Sequence, residues 1–332
     1  MTGKSIAVVT GGAGFIGSHM VDLLLKKNFV VRVIDNFTGG HEKNLKQNIN
    51  NTNLEIEKLD IINLENHNKI FNNVSYVFHF AGIGDIVPSI ERPADYLHSN
   101  VFGTVKVLEA SRYNFVKKFV YAASSSCYGL ADTPTDENHP IKPEYPYALS
   151  KYQGEECCMH WHKVYNLPVI SLRIFNAYGV RVRTTGVYGA VFGVFLKQKL
   201  ENKKFTVVGN GLQKRDFLYV TDAVKAFLKA AESKFSGRIY NLGAGNPQSI
   251  KYLTELIGGD NIYLPTRPGE PQCTWANISK IKKDLNWKPL ITFEDGVKIM
   301  MDDILSWQDA PLWDVDSIEI ATKTWFKFMD KI

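Results

Sequence analysis

Thr10-Gly11-Gly12-Ala13-Gly14-Phe15-Ile16-Gly17-Ser18 follows a short β-branched run at residues 6–10 and leads into residues 16–26, whose apolar side chains recur every three or four positions. Its reading decides the fold. Glycines at 11, 14 and 17 suit a turn that needs positive φ and lets a pyrophosphate approach the main chain. The helix opened by Phe15 and Ile16 then offers unpaired N–H groups and the positive end of its dipole. Gly17 allows strand and helix to pack closely. A glycine turn alone is often only a turn, but here a strand precedes it, a helix follows, and the next strand ends in an acid. That acid is Asp35, 18 residues after Gly17. A carboxylate there accepts hydrogen bonds from an adenosine ribose and repels a 2′-phosphate, so the expected cofactor is NAD and not NADP.

Outward from the turn, short apolar runs at 30–34, 54–58, 76–80, 119–123, 169–174 and 239–242 read as buried strands. Helical patterns at 16–26, 94–113 and 147–165 lie between them. This alternation predicts an α/β protein, a Rossmann-type doubly wound parallel sheet with a smaller interleaved C-terminal substrate lobe. The expected division is a dinucleotide-binding domain over 1–175 with segments returning at about 215–245, and a substrate lobe from 176–214 and 246–332. Asp60, after the third strand, reads equally well as an adenine contact and as a strand-end turn acid.

Composition narrows the class. The chain has 332 residues, 45% apolar and 22% charged, and its net charge of +5 is spread without a basic run, which argues against a nucleic-acid partner. No stretch of about 18 apolar residues occurs, so no membrane partner is expected. Cys127, Cys157, Cys158 and Cys273 form no paired motif and read as free thiols, and no metal site is expected. The N-terminus leads straight into a strand without a signal-peptide pattern, and the expected location is the cytoplasm.

Tyr147 and Lys151 stand four residues apart on one helix face. Such a pair is mostly surface packing, but Ala122-Ala123-Ser124-Ser125-Ser126 ends a strand at the carboxyl edge of the sheet, where open α/β folds bind ligands. A phenol with an ordinary pKa of about 10 is no base at neutral pH, whereas a nearby ammonium and a cationic nicotinamide favour phenolate. Tyr147 is then expected to take a proton from a sugar or alcohol hydroxyl while hydride leaves the carbon, with a serine hydroxyl bonded to the reacting oxygen.

Together these segments resemble an extended short-chain dehydrogenase/reductase of the nucleotide-sugar 4-epimerase and dehydratase group. Besides the glycine turn, the resemblance rests on Asp35-Asn36, His79-Phe80-Ala81-Gly82, Asn100 with Gly103-Thr104, and Ser124 through Tyr128-Gly129. It continues through Tyr147 and Lys151, Arg173-Ile174-Phe175-Asn176-Ala177-Tyr178-Gly179, Arg215 through Asp222, and Arg267-Pro268-Gly269-Glu270, nearly the whole chain. The resemblance implies that Tyr147 is the acid/base, that Lys151 holds the nicotinamide ribose and lowers the tyrosine pKa, and that Ser124 is the active-site hydroxyl. Asn36, Asp60, Ile61, Phe80, Ala81, Gly82 and Asn100 would join the glycine turn and Asp35 around the cofactor. Asn176, Arg215 and Arg267 would hold a nucleotide diphosphate and its ribose, an arginine fork suiting phosphate oxygens. Glu270 and a backbone group at Val207, in the strand candidate 205–208, complete the expected substrate side.

In 4,6-dehydratases of this group an Asp-Glu pair follows the active-site hydroxyl. Here Ser125 and Ser126 occupy those positions, and neither exchanges a proton as a carboxylate does. The expected activity is an NAD-dependent nucleotide-sugar 4-epimerase acting on a UDP-hexose or UDP-N-acetylhexosamine. The alternatives are a 4,6-dehydratase or 4-dehydrogenase/reductase on the same scaffold, and a non-catalytic NAD-binding protein. By the same resemblance Thr274 occupies the place where UDP-galactose epimerases carry a bulky Tyr, which reads either as room for a 2-acetamido group or as a simple loop difference. Residues 181–188 read either as pocket lining or as a solvated loop. The tail at 307–328 carries Trp307, Trp313 and Trp325 and reads as an added amphipathic helix or a partner-covering surface. The resemblance further implies a homodimer built on the helices at 94–113 and 147–165.

Overall fold

The computed structural model describes residues 4–183 and 191–329. Seven strands form its main sheet: β1 Ile6–Thr10, β2 Val30–Asp35, β3 Leu54–Lys58, β4 Tyr76–His79, β5 Lys118–Ser124, β6 Val169–Ile174 and β7 Arg238–Leu242. Their order is β7-β6-β5-β4-β1-β2-β3, and every neighbouring pair is parallel. Both faces are covered, which is why these strands read as continuous apolar runs. On one face, helices α1 Phe15–Lys26 and α4 Val220–Glu232 place Met20, Val21, Leu24 and Phe227 over Val9, Val33 and Ile170. On the other, α2 Gly103–Tyr113 and α3 Pro146–Tyr165 place Val107, Leu108 and Cys158 over Val8, Val77 and Phe119. Val8 and Val9 belong to opposite clusters because successive strand side chains point to opposite faces. Chain order reverses on either side of β1, and that reversal opens a crevice at the carboxyl ends of β1 and β4.

After β6 the chain leaves the sheet and builds a third cluster in which Tyr178, Phe192, Phe205, Phe217, Phe293 and Trp307 take part. Phe205–Val208 pairs in parallel with Asn261–Leu264 in that region. Between its parts, α4 and β7 return to the main sheet, so the lobes interleave.

Two helical expectations need correction. Residues 94–113 are not one α-helix: Pro93–Leu97 is followed by a π-helical turn, His98–Phe102, before α2 begins. The turn carries Asn100, whose side chain bonds both main-chain groups of Ile83 and so is directed inward instead of along a regular helix face. The tail is likewise divided. Trp307 ends a 3-10 turn inside the third cluster, and a separate helix α5, Val315–Met329, carries Trp325.

Candidate active site

A cleft of about 1190 Å³ runs along the crevice, from the glycine turn and Asp35 past Ser124, Tyr147 and Lys151 to Arg215 and Arg267. At its first end Gly11 has φ of +68°. A Cβ on Gly11 would stand 2.7 Å from the Ala81 nitrogen, and one on Gly17 would stand 2.1 Å from the Gly11 carbonyl oxygen. Gly14 is the N-cap of α1, no side chain caps the helix, and its first turn holds no acid. Main-chain donors at the start of α1 therefore line the cleft in a turn packed too closely to admit a Cβ, an arrangement that fits the pyrophosphate of NAD.

Asp35 is buried. Its Oδ2 accepts the Ala13 N–H at 2.9 Å and its Oδ1 the Phe37 N–H at 2.8 Å. Burial raises its pKa, and these two N–H groups pull it back. Each oxygen keeps a second lone pair for a ribose hydroxyl. Asp60 is a turn acid, as one of its two readings has it: its Oδ1 caps the turn Ile61–Asn63 and its Oδ2 accepts from Asn36 at 2.8 Å, and the residue also lines the cleft. Ile61, Phe80, Ala81 and Gly82 also line this end, together with Phe15 and Ile16. Asn100 does not. It is 1% exposed and holds Ile83 and the Ser150 hydroxyl, so it shapes the cofactor loop from behind.

In the middle of the cleft β5 delivers Ser124, and α3 begins with Pro146 and then Tyr147. Proline suits that first helical position, where its missing N–H leaves no bond unmade. The Ser124 hydroxyl is bonded to Tyr147 and lies 2.5 Å from that of Ser126. Burial raises the Tyr147 pKa, Ser124 opposes the shift, and the Asp85 carboxylate and Cys127 push it further up. These causes act in the protein without its cofactor, whereas the expected lowering also invokes a cationic nicotinamide beside the ring. The Lys151 ammonium lies 4.5 Å from the Tyr121 ring centroid, and burial depresses it to about 8 against opposing contributions from Cys158 and Glu155.

A pH dependence follows from Lys151. Between about 8 and its ordinary 10.5 the unfolded chain holds a proton that the native state lacks, so this group makes stability rise with pH across that window. Turnover is expected to move the other way, falling as pH rises through about 8 and the ammonium is lost. Lys151→Arg keeps a cation at all these pH values. It is expected to lower the plateau and to remove the alkaline limb of the kcat profile; a limb that persists unchanged would show that another group titrates there.

At the far end Arg215 Nη2 bonds Glu270 Oε1 at 2.7 Å, and Arg267 Nη1 lies 3.9 Å from Glu270 Oε2. Glu270 thus stands between two guanidinium groups that a diphosphate would compete for. The Thr274 hydroxyl donates to Asn176 Oδ1 at 2.7 Å and accepts the Asp216 N–H at 3.2 Å, and both Thr274 and Asn176 line the cleft. Val207 points away. It is fully buried in the third cluster, while Thr206 and Val208, its neighbours on the strand, reach the cleft.

Sequence reasoning missed Tyr145, whose ring stacks 6.5 Å from that of Tyr147 at an interplanar angle of 8°. It also missed Asp85, whose two oxygens each lie 2.7 Å from Arg183 Nη2 inside the cleft. Of the stretch 181–188, Arg181, Val182 and Arg183 line the cleft, and residues 184–188 lie outside the described residues. Among the described residues no helix is long and apolar enough to cross a membrane, and no three His, Cys, Asp or Glu side chains are grouped to hold a metal ion.

A glycine turn, a buried acid at the end of the next strand and a Ser-Tyr-Lys set along one crevice define a dinucleotide-dependent enzyme of the short-chain dehydrogenase/reductase class. Residues 7–243 match the model of the NAD dependent epimerase/dehydratase family, and the chain belongs to that family, with NAD as its cofactor. It is 35% identical over 306 residues to a UDP-glucuronate 4-epimerase of Thermodesulfobacterium geofontis, covering 88% of this chain and 93% of the relative. A UDP-N-acetylglucosamine 4-epimerase from Methanobrevibacter ruminantium, solved with UDP-N-acetylmuramic acid, superposes with a TM-score of 0.86 at 32% identity, over 92% of this chain and 99% of that one. A UDP-glucuronic acid 4-epimerase from Bacillus cereus, solved with UDP-glucuronic acid and NAD, gives 0.85 at 31% identity, over 91% and 99%.

Proposed function

We propose that this chain is an NAD-dependent 4-epimerase of UDP-sugars. The observation that carries the reading is the placement of Ser124, Tyr147 and Lys151 midway along one cleft, between the glycine cradle and the Arg215–Glu270–Arg267 cluster. Arg215, Arg267 and Asn176 hold the diphosphate and nucleotide ribose, so the sugar lies across Ser124 and Tyr147. Tyr147 takes the O4 proton and Ser124 hydrogen-bonds the same oxygen. Bound NAD supplies a reversible hydride acceptor at C4. With the diphosphate anchored, the 4-keto sugar turns over, and Tyr147 returns the proton once hydride has come back to the other face. Ser125 and Ser126 beside Ser124 supply hydroxyls and no carboxylate, which disfavours elimination of water.

Incubation with UDP-sugars followed by NMR tests the reading. A C4 epimer without net NADH is expected, whereas a 4-keto-6-deoxy product or stoichiometric NADH defeats it.

Thr274 supports acceptance of a 2-acetamido sugar, since a small side chain leaves space at that part of the cleft. Thr274→Tyr is expected to lower kcat/KM at least tenfold more for the N-acetylated substrate than for the plain hexose, within what pocket shape alone can discriminate. Thr274→Val removes the hydroxyl bonded to Asn176 without filling the space, and is expected to affect both sugars alike. Equal losses with tyrosine would refute the assignment. Exposed Phe102, Tyr113, Leu149, Val164 and Tyr165 along the π-helical turn, α2 and α3 support a homodimer through those helices, with sedimentation at twice the chain mass as its check.

A further inference from the structure

Helix α5, Val315–Met329, lies outside the residues matched by the family model and turns one stripe toward the cleft. Its buried residues Ile318, Thr322, Trp325 and Met329 recur every three or four positions. That stripe packs on the short helix Ile86–Glu91, where Val87, Trp325 and Met329 form a buried cluster with Ile86, Ile90 and Tyr145 against it. The Thr324 hydroxyl donates to Glu91 at 3.0 Å. Thr322 and Trp325 line the cleft itself.

Trp325 touches both sides of the site. Its ring lies 5.8 Å from that of Tyr145, the tyrosine stacked beside Tyr147. Its indole N–H donates to the Pro268 carbonyl at 2.8 Å, between Arg267 and Glu270 in sequence. The next residue in that loop also meets the helix, since a Cβ on Gly269 would stand 3.1 Å from the Met329 methyl. A sugar joined to a diphosphate at Arg267 and presented to Tyr147 must occupy the span between these two anchors. The indole bridges the same span from outside.

From this placement we propose that α5 is the wall of the sugar subsite and that Trp325 is a positioning residue that sets the distance between the arginine loop and the tyrosine side of the cleft. The inference rests on the nucleotide-sugar reading above. A loop tied to a buried indole has fewer conformations to lose when ligand binds, and less of the binding energy goes into ordering it. That ordering helps any ligand held at Arg267, whereas the separation of the loop from the tyrosine side matters only to the sugar, which needs both sides at once.

Calorimetry with UDP and with the UDP-sugar substrate, on the NAD-loaded enzyme, tests this. Trp325→Ala is expected to weaken UDP-sugar binding at least fivefold more than it weakens UDP binding, with KM rising more than kcat falls. Trp325→Phe keeps a ring against Tyr145 and loses only the N–H to Pro268, so its UDP-sugar affinity should fall between those of wild type and the alanine variant. If the alanine variant does not fold, the phenylalanine variant carries the same comparison. UDP and UDP-sugar weakened alike, or neither weakened, overturns the inference while the epimerase reading stands. Failure of the wild type to bind any UDP-sugar overturns both.

Discussion

Tyr147→Phe is expected to lower kcat for epimerisation by about 10²–10⁴-fold, the range that a positioned acid/base contributes, with KM and NAD content changed less than threefold. The variant removes one oxygen and little else. Tyr147 is held through its main chain, since its carbonyl accepts the Ser150 hydroxyl at 2.8 Å and Ser150 in turn accepts from Asn100. Its ring keeps the stacked Tyr145. Ser124 loses a partner yet retains Ser126 at 2.5 Å, so the neighbouring hydroxyls stay in place. Because burial and Asp85 both raise the Tyr147 pKa, the protein alone does not hold a phenolate at neutral pH. A bound cationic group beside the ring opposes that rise, and loss of the one phenol oxygen should stop turnover without loosening the complex. Steady-state assays, with NAD measured after denaturation, give the comparison. Turnover within threefold of wild type would remove Tyr147 from the mechanism.

What was legible in the sequence was local. The glycine turn, Asp35, Ser124 and the Tyr147–Lys151 pair each lie at a strand end or in the first turns of a helix, where spacing alone fixes a shared edge or face. The reversal of strand order beside β1 follows from parallel crossovers and brought them into one crevice. Legibility failed where a contact joins distant segments. Asp85 meets Arg183 across 98 positions and Trp325 meets Pro268 across 57, and no periodicity marks either pair. At Val207 the expected contact is a backbone group, which side-chain alternation leaves untouched; the side chains that face the cleft are those of its neighbours Thr206 and Val208. Asn100 was found through the family pattern, yet its amide serves the loop behind the cofactor, a distinction that a motif does not carry.

Gly17→Ala is expected to remove at least nine-tenths of the bound NAD and to lower the melting temperature, although the added methyl is the smallest possible change. Its Cβ would stand 2.1 Å from the Gly11 carbonyl oxygen, 2.8 Å from the Gly11 carbonyl carbon and 2.9 Å from the Gly12 Cα, all of them backbone. A flexible side chain could move aside, but this turn is held from three directions. The Gly11 N–H donates to Ile34 at 2.8 Å, and the Gly14 N–H returns to the Gly11 carbonyl at 3.0 Å. Gly12 is pressed against both Val33 methyls, since its own Cβ would stand 2.8 Å from each. Accommodating the methyl therefore means withdrawing α1 from β1, which displaces the main-chain donors from the pyrophosphate. Overpacking of a core costs about 1–3 kcal/mol, which in a chain of this size lowers the melting temperature by about 1–2 °C per kcal/mol. Gly39→Ala, at a cleft position with nothing within 4 Å of its Cβ, should leave the melting temperature unchanged and serves as the control. An alanine at 17 that kept wild-type NAD content would mean that close approach of helix to turn is not what forms the cradle. The cofactor would then have to be held chiefly by Asp35, Lys151 and the residues at 80–82.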